Sequence, residues 1–403
     1  MHIAYLSPEY SRNSKPEGGL ANYLYKVGQE LTHRGHKVSI LYLSRTNKFW
    51  TDEGVNVYEV KRFTFSYQLK KIKLLAPFLP ALAQIYSAHR LGKALMKLNQ
   101  TAPIDLVQAS SYKSPGYTLR GNHYFPMVCR ISSYAALIRS AEGRRRSFSD
   151  YLCDWLEIRQ VMDSQAAFAP SQLMSDSYAR LEGYRPSIIR TPLETVEIQM
   201  DDSCYKSNFL KKSYLLYFGT LKLVKGVDLL AEVLPPLLEK NPGLLIAFIG
   251  RDDGLNDGQK IFETIRNRNK SFEDRLIYLP ALPKSSLYPV IAHSLGILMP
   301  SRMDNYPNAC LEALFLGVPV VGTYSSSLDE MIVDGQTGFL AENGNPESIR
   351  NAIESLLALS SDQRLAMQNN IRAYVQSILA EDRVGQLIDF YSQAIHNFKK
   401  NGA

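Results

Sequence analysis

Apolar residues fall into two recurring patterns along this chain. Short unbroken runs mark the intervals 2–7, 37–43, 104–109, 126–131, 167–170 and 187–191, and again 214–218, 244–249, 275–280, 295–299 and 318–321. Runs of that length without polar alternation suit strands buried on both faces, as in a parallel sheet. Between them lie longer stretches with apolar residues three and four apart, such as Leu24, Val27 and Leu31 within 20–34. Helices are expected there and at 81–98, 149–166, 171–181, 228–239, 285–292 and 309–316, then at 346–359, 362–377 and 382–398. Strand, helix, strand in succession is the βαβ unit, and its repetition predicts an α/β chain with parallel sheets. The polar stretch 194–212 has neither period. It divides the chain into a domain at 1–195, a linker at 196–212 and a second domain at 213–379, with 380–403 returning to the first.

Composition narrows the class. The chain has 403 residues, 45% hydrophobic and 10% aromatic, enough for two full cores. Its net charge of +7 fits nucleic acid, an anionic membrane surface or an anionic substrate. Nucleic acid is set aside, because the basic residues are not interleaved with stacking aromatics. Cys129, Cys153, Cys204 and Cys310 are scattered without C-x-x-C spacing, which speaks against zinc and against a disulfide framework. The first residues lead straight into a strand, so no signal peptide is expected, and no apolar run reaches the ~18 residues of a membrane span. A cytoplasmic location is expected, with peripheral attachment at the inner membrane face as a variant. Segment 61–99 carries Lys70, Lys71 and Lys73 before Leu74 and Leu75, then His89, Arg90, Lys93 and Lys97. Lysines beside apolar residues fit a segment lying on anionic lipid and also fit an ordinary solvated helix. Arg139 and Arg144–Arg146 form a basic cluster expected on a loop, facing an acidic ligand or solvent.

Three stretches carry candidate chemistry. Gly18-Gly19 precedes the first helix, where paired glycines let the backbone take positive φ and come close to a ligand; a plain turn also fits. Gly219-Thr220 closes a strand, and Lys225-Gly226 precedes the next helix. A sharp turn plus a point charge suits a diphosphate, although the string is no Walker A loop. The third is 295–322: strand, polar loop with Asp304, helix with Glu312, Gly317, then Val318-Pro319-Val320-Val321. Backbone N–H groups at the start of that helix, Asn308 to Leu311, form an anion site. A carboxylate beside an anion site needs another partner, such as sugar hydroxyls. Asp252-Asp253 suggests a metal-binding pair, but the spacing and the surrounding glycines do not suit one, and no metal is expected.

The third stretch resembles the signature of retaining glycosyltransferases of the GT-B fold, most closely family 4 (glycosyl transferases group 1). That signature has two acids separated by seven residues, then an Ala-rich helix, Gly and Pro-Val-Val. Here it reads Asp304-x7-Glu312, with Asp where the family usually has Glu. Lys225-Gly226 matches a second family motif, but Thr220 replaces its Arg, with Lys222 a substitute charge; Ser132 stands where many members have His. The resemblance implies two Rossmann-like doubly wound domains facing across a cleft, and a C-terminal helix crossing back to the first. It implies a donor site for a nucleotide-diphosphate sugar built from Gly219, Thr220, Lys225, Gly250, Leu282 and Asn308, Ala309, Cys310, Leu311 and Glu312. Glu312 would hold the ribose, Lys225 and the helix N-terminus the diphosphate, Asp304 the sugar, and the chain after 275–280 the base. Gly18, Gly19 and Ser132 would lie toward the acceptor. The implied reaction is metal-independent hexosyl transfer with retention to a glycan, lipid-linked sugar or small molecule, as in polysaccharide biosynthesis, with no cofactor beyond the donor.

Three alternatives fit parts of the chain. An epimerase or phosphorylase of the same fold would use water or phosphate as acceptor. A dinucleotide oxidoreductase would carry G-x-G-x-x-G after an opening strand, and neither half does. A non-catalytic sugar- or nucleotide-binding relative is favoured by Thr220 and Ser132 and opposed by Lys225 and Glu312.

Overall fold

The computed structural model describes residues 1–10, 18–65, 72, 74–193, 199–255 and 258–401. Lys70, Lys71 and Lys73 lie outside them. The chain divides into two compact units, one running to Pro192 and resumed from Asp382, the other spanning Leu193–Glu381.

In the first unit the strands are β1 (His2–Ser7), β2 (Lys37–Ser44), β3 (Lys48–Asp52), β4 (Val55–Lys61), β5 (Leu106–Ser110), β6 (Met127–Arg130), β7 (Ala166–Ala169) and β8 (Ser187–Ile188). Their order is β3-β4-β2-β1-β5-β6-β7-β8, parallel except for the β3–β4 hairpin. That hairpin was not expected from the sequence. Its turn, Glu53-Gly54, has positive φ at both residues (47° and 87°), the mirror-image turn that matches strand twist. Helix α1 (Gly19–His33) buries Ala21, Leu24, Val27 and Leu31 against the sheet. Gly35, at φ +80°, lets the chain turn into β2.

The C-terminal helix, Arg383–Asn401, belongs to this unit and places Val384, Leu387, Tyr391 and Ala394 in the same core as Ile3, Tyr5 and Leu24. Tyr391 Oη lies 3.0 Å from Tyr5 Oη and donates to Gln108 Oε1 at 2.5 Å, so a hydroxyl chain ties the helix to β1 and β5. Helices α2 (Leu79–Thr101), α3 (Ala135–Ala141), α4 (Phe148–Met162) and α5 (Gln172–Glu182) complete the unit. Helix α4 starts on a capping box, Ser147 with Asp150, and ends earlier than the apolar pattern suggested. The basic cluster is not a loop of free charges. Arg139 lies buried in α3 and pairs with Asp154 of α4, which also holds Arg146 at 2.9 Å, while Arg144 lies 3.7 Å from Asp150. Removing either buried partner leaves an uncompensated charge, so these residues brace α3 against α4.

The second unit has strands β9 (Ser213–Phe218), β10 (Leu244–Ile249), β11 (Leu276–Leu279), β12 (Gly296–Leu298), β13 (Val320–Thr323) and β14 (Gly338–Ala341). All are parallel, in the order β11-β10-β9-β12-β13-β14, with an apolar core on each face. The order reverses between β9 and β12, and loops leaving the carboxyl ends of those neighbours frame a crevice. The stretch 196–212, expected as a linker, is partly structured. Helix α6 (Ser203–Asn208) forms there and Phe209, 0% exposed, enters the core of this unit. Cys204 and Tyr205 of the helix pack on the same core, and Tyr205 stacks on His293 with ring centres 4.1 Å apart, while the buried Phe209 side chain adds about 2–3 kcal/mol. The further helices are α7 (Leu230–Lys240), α8 (Ile261–Arg268), α9 (Lys284–Ala292), α10 (Asn308–Phe315), α11 (Pro346–Leu357) and α12 (Ser361–Ala380).

Candidate functional site

The loop after β9 and the loop after β12 meet at the switch point of the second unit. Gly226 has φ +63°, and a Cβ there would stand 1.8 Å from the Pro300 carbonyl oxygen. Only glycine lets the two backbones approach this closely. The Arg302 and Met303 N–H groups both donate to the Val224 carbonyl, at 2.9 and 3.3 Å. The Arg302 guanidinium forks onto Asp228 at 2.6 and 2.8 Å and donates to the Leu223 carbonyl at 2.6 Å. Bidentate pairing of that kind fixes geometry as well as charge. Arg302 and Asp228 thus lock the loop that carries Lys225; neither stood out in the sequence. The Asp252 carboxylate accepts the N–H groups of Gly254, Ile261 and Phe262 at 2.9–3.2 Å and anchors the start of α8.

Lys225 Nζ bonds Asp304, so two of the expected residues touch directly. Asp304 is also held by its backbone, whose N–H donates to Ser326 O at 3.0 Å. An ammonium has three donors, so this contact leaves Lys225 capacity for an anion. Lys222, read as a substitute charge for the absent Arg, instead pairs with Asp253 at 3.1 Å, and Arg251 holds the same carboxylate at 2.6 Å. Asp253 therefore offsets the Lys222 charge. Thr220 turns its carbonyl to the Tyr217 hydroxyl, 2.8 Å away. Gly219 and Gly250 lie back to back, since a Cβ on Gly250 would stand 1.9 Å from the Gly219 oxygen.

Helix α10 has no side-chain cap; its N-cap is Pro307. Of the four residues expected to offer N–H groups, Cys310 and Leu311 already donate to Pro307 O, at 3.1 and 3.4 Å. Asn308 and Ala309 keep the open donors of the first turn among the described residues. The Asn308 carboxamide oxygen is buried and lacks a hydrogen-bond partner. The Cys310 side chain is 0% exposed, and burial, then the nearby Asp304 charge, push its thiol well above the usual range. The Cys310 side chain therefore packs the core. Glu312 is largely buried, with Lys284 of α9 at 3.6 Å, just past Leu282. The sequence reading missed Lys284 as the partner of Glu312.

Backbone strain concentrates in the same loops. Tyr306, Ser325 and Ser327 hold φ of 56°, 55° and 69°, unusual for residues with side chains. Tyr306 N–H donates to Ser327 Oγ at 2.9 Å, so the strained residues support one another.

Gly18, Gly19 and Ser132 belong to the first unit. Gly18 caps α1, which starts at Gly19. Ser132 Oγ lies 3.0 Å from Ser110 Oγ and accepts from Arg130 at 3.0 Å, just past β6.

Residues 17–195 match the family model described as Glycosyltransferase Family 4, and residues 205–374 match glycosyl transferases group 1. The chain belongs to these glycosyltransferases. Among relatives, the glycosyltransferase is 25% identical over 179 residues to D-inositol 3-phosphate glycosyltransferase of Corynebacterium urealyticum. That match spans 43% of this chain and 42% of the relative, less than half of either. Sucrose-phosphate synthase of Thermosynechococcus elongatus superposes with TM-score 0.78 at 16% identity, covering 98% of this chain and 99% of that one. Anabaena HepE, solved in complex with UDP, superposes with TM-score 0.67 at 15% identity, covering 98% and 100%. The glycosyltransferase thus has the GT-B fold expected from its sequence. No described helix is long and apolar enough to cross a membrane.

Proposed function

We propose that this protein moves a sugar from a nucleotide-diphosphate sugar to an acceptor hydroxyl, with retention and without a metal. The observation that carries the reading is the contact of Lys225 with Asp304 beside the open, uncapped start of α10 at the β9–β12 switch point. Anions settle on such helix starts, and a cation there neutralises a departing diphosphate. Lys225 and the N–H groups of Asn308 and Ala309 hold the diphosphate. Glu312 accepts the ribose hydroxyls, the backbone near Leu282 meets the base, and Asp304 holds hydroxyls of the donor sugar. We assign no side chain the role of nucleophile. The acceptor oxygen attacks the anomeric carbon on the face that the diphosphate leaves; the C1–O bond breaks, the new glycosidic bond forms, and a donor phosphate oxygen takes the acceptor proton. HepE was solved with UDP, which makes UDP sugars the first donors to try.

A thermal-shift series with UDP, GDP, ADP, CMP and dTDP sugars tests the reading. At 100 times Kd a ligand stabilises the native state by about 2.7 kcal/mol, and one series member should do so. In Glu312→Ala the shift should largely vanish, since a lost charge-assisted hydrogen bond costs about 1.5–3 kcal/mol. A chain that no nucleotide shifts, or whose shift survives this substitution, contradicts the donor site. A second reading, sugar-nucleotide binding without transfer, is favoured by Thr220 and by the engagement of Lys222 with Asp253. It predicts binding without release of nucleoside diphosphate.

The first unit also suits an anionic membrane surface. Leu74, Phe78, Leu82 and Tyr86 recur every four residues and are exposed, as are Phe148, Tyr151 and Trp155 on α4. The Phe78 and Phe148 rings stand 5.4 Å apart, joining the two stripes into one apolar face. Exposed Arg144–Arg146 flank it on one side, and Arg90, Lys93 and Lys97 continue the α2 stripe. Aromatic residues ringed by cations suit the headgroup boundary of anionic lipid. Sedimentation with phosphatidylglycerol vesicles should carry the protein down, and Phe78→Ser with Trp155→Ser should release it. Equal sedimentation with neutral phosphatidylcholine, or no loss in the double variant, removes the membrane from the reading.

A further inference from the structure

Arg130 is a buried cation with no anion. It ends β6, is 6% exposed, and lies with its guanidinium carbon 3.9 Å from the centre of the Tyr23 ring. Its Nη1 donates to Ser132 Oγ at 3.0 Å and its Nη2 to Thr191 Oγ1 at 3.4 Å, while Nε is buried with no partner. No described carboxylate pairs with it. Burial lowers its pKa, and the phenols beside it, Tyr23 and Tyr391, are pushed up by burial and carry no charge to balance it. The contrast within the same unit is plain, for Arg139 is buried on Asp154 and Arg120 pairs with Asp163 at 2.8 Å. A guanidinium stays charged at any ordinary pH, and a charge taken out of water without a counter-charge is costly. One hydroxyl beside it is also unsatisfied: Ser133 Oγ is buried without a partner, whereas Ser110 and Ser132 bond each other at 3.0 Å.

This group lies at the carboxyl ends of β5 and β6. The sheet order reverses between β1 and β5, so the crevice of the first unit opens at the same end. The groups that contact Arg130 are hydroxyls and an aromatic ring, and among the described residues no acid pairs with it; a guanidinium and hydroxyls bind oxyanions.

We infer that Arg130, with Ser133, binds an anionic oxygen group, phosphate or carboxylate, carried by the acceptor. The acceptor is then an acidic or phosphorylated sugar or lipid, not a neutral glycan. The inference rests on the glycosyltransferase reading for the word acceptor, but the anion site stands on the first unit alone.

Calorimetric titration of the full chain tests it, with glucose 6-phosphate, glucuronate and glucose as probes and a UDP thermal shift measured on each sample. Glucose 6-phosphate or glucuronate should bind, glucose should not, and Arg130→Gln should weaken the bound acid by about tenfold or more, the scale of one charge-assisted hydrogen bond. The acid that binds tells phosphate from carboxylate. Absence of binding by both acids, or equal binding in Arg130→Gln, overturns the inference. A UDP shift retained in Arg130→Gln shows that the variant is folded. Loss of the UDP shift in the wild type sinks the donor reading and leaves the anion site to its own titration. If Arg130→Gln does not fold, Ser133→Ala decides: a several-fold loss of acid binding supports the site and unchanged binding rejects it.

Discussion

Lys225→Ala is expected to lower kcat/KM for sugar transfer by about 10²- to 10³-fold, the range seen when one donor to a developing negative charge is deleted. The charge on the leaving diphosphate grows as the C1–O bond breaks. Lys225 stands beside the α10 start, bonded to Asp304 and 30% exposed, so its Nζ reaches both the crevice and its carboxylate. Removing it takes away the cation and frees Asp304, whose negative charge then faces the diphosphate. Most of the loss should fall on kcat, because leaving-group stabilisation is larger in the transition state than in the bound donor. The fold should survive, since the loop that carries Lys225 is held independently by the Arg302 fork on Asp228 and by the N–H groups on Val224. Steady-state kinetics with the donor that binds gives the answer. A wild-type rate removes Lys225 from the site.

Gly226→Ala is expected to be nearly as damaging by a different route. A residue with a side chain at φ +63° carries roughly 1–2 kcal/mol of strain. The added carbon would also sit 1.8 Å from the Pro300 oxygen, so one backbone must move. The loop has little freedom to yield, being pinned by the Arg302–Asp228 fork and by two N–H groups on Val224. A combined cost of about 3 kcal/mol or more follows, lowering Tm by about 5–10 °C. Displacement of Lys225 should weaken nucleotide binding along with it. Gly335 supplies the control: its φ is +71° but nothing lies within 4 Å of its added carbon, so Gly335→Ala should show the strain alone. Equal melting curves for the two variants would show that the Gly226–Pro300 approach is not constraining.

The parallel sheets were legible because each strand is a short apolar run, and burial on both faces leaves no other reading for it. The β3–β4 hairpin was not, since its residues alternate between polar and apolar at a sheet edge with one wet face. Helix α6 was invisible for a related reason, being only six residues long and held by three scattered contacts, Cys204, Tyr205 and Phe209, that make no helical stripe in the sequence. At the site, Lys225 and Asp304 could each be picked from their motifs, but not their bond, which joins positions 79 apart. Arg302 and Asp228 gave a weak signal: opposite charges, two residues before Asp304 and three after Lys225. Arg139 and Arg146 misled because a cluster of like charges looks solvated until the acids of the next helix are placed beside it.

The place of the last helix has a consequence for biosynthesis. Tyr391 closes the hydroxyl chain over Tyr5 and Gln108, yet it leaves the ribosome hundreds of residues after them. The inserted second unit is complete once Glu381 has been translated, while the surrounding unit still lacks one wall of its interior. During that interval Ile3, Tyr5 and Leu24 have no cover from the helix that will bury them. Nascent chains stalled before residue 383 should therefore hold a finished middle inside an unfinished frame, and be a target for chaperones that grip apolar strands.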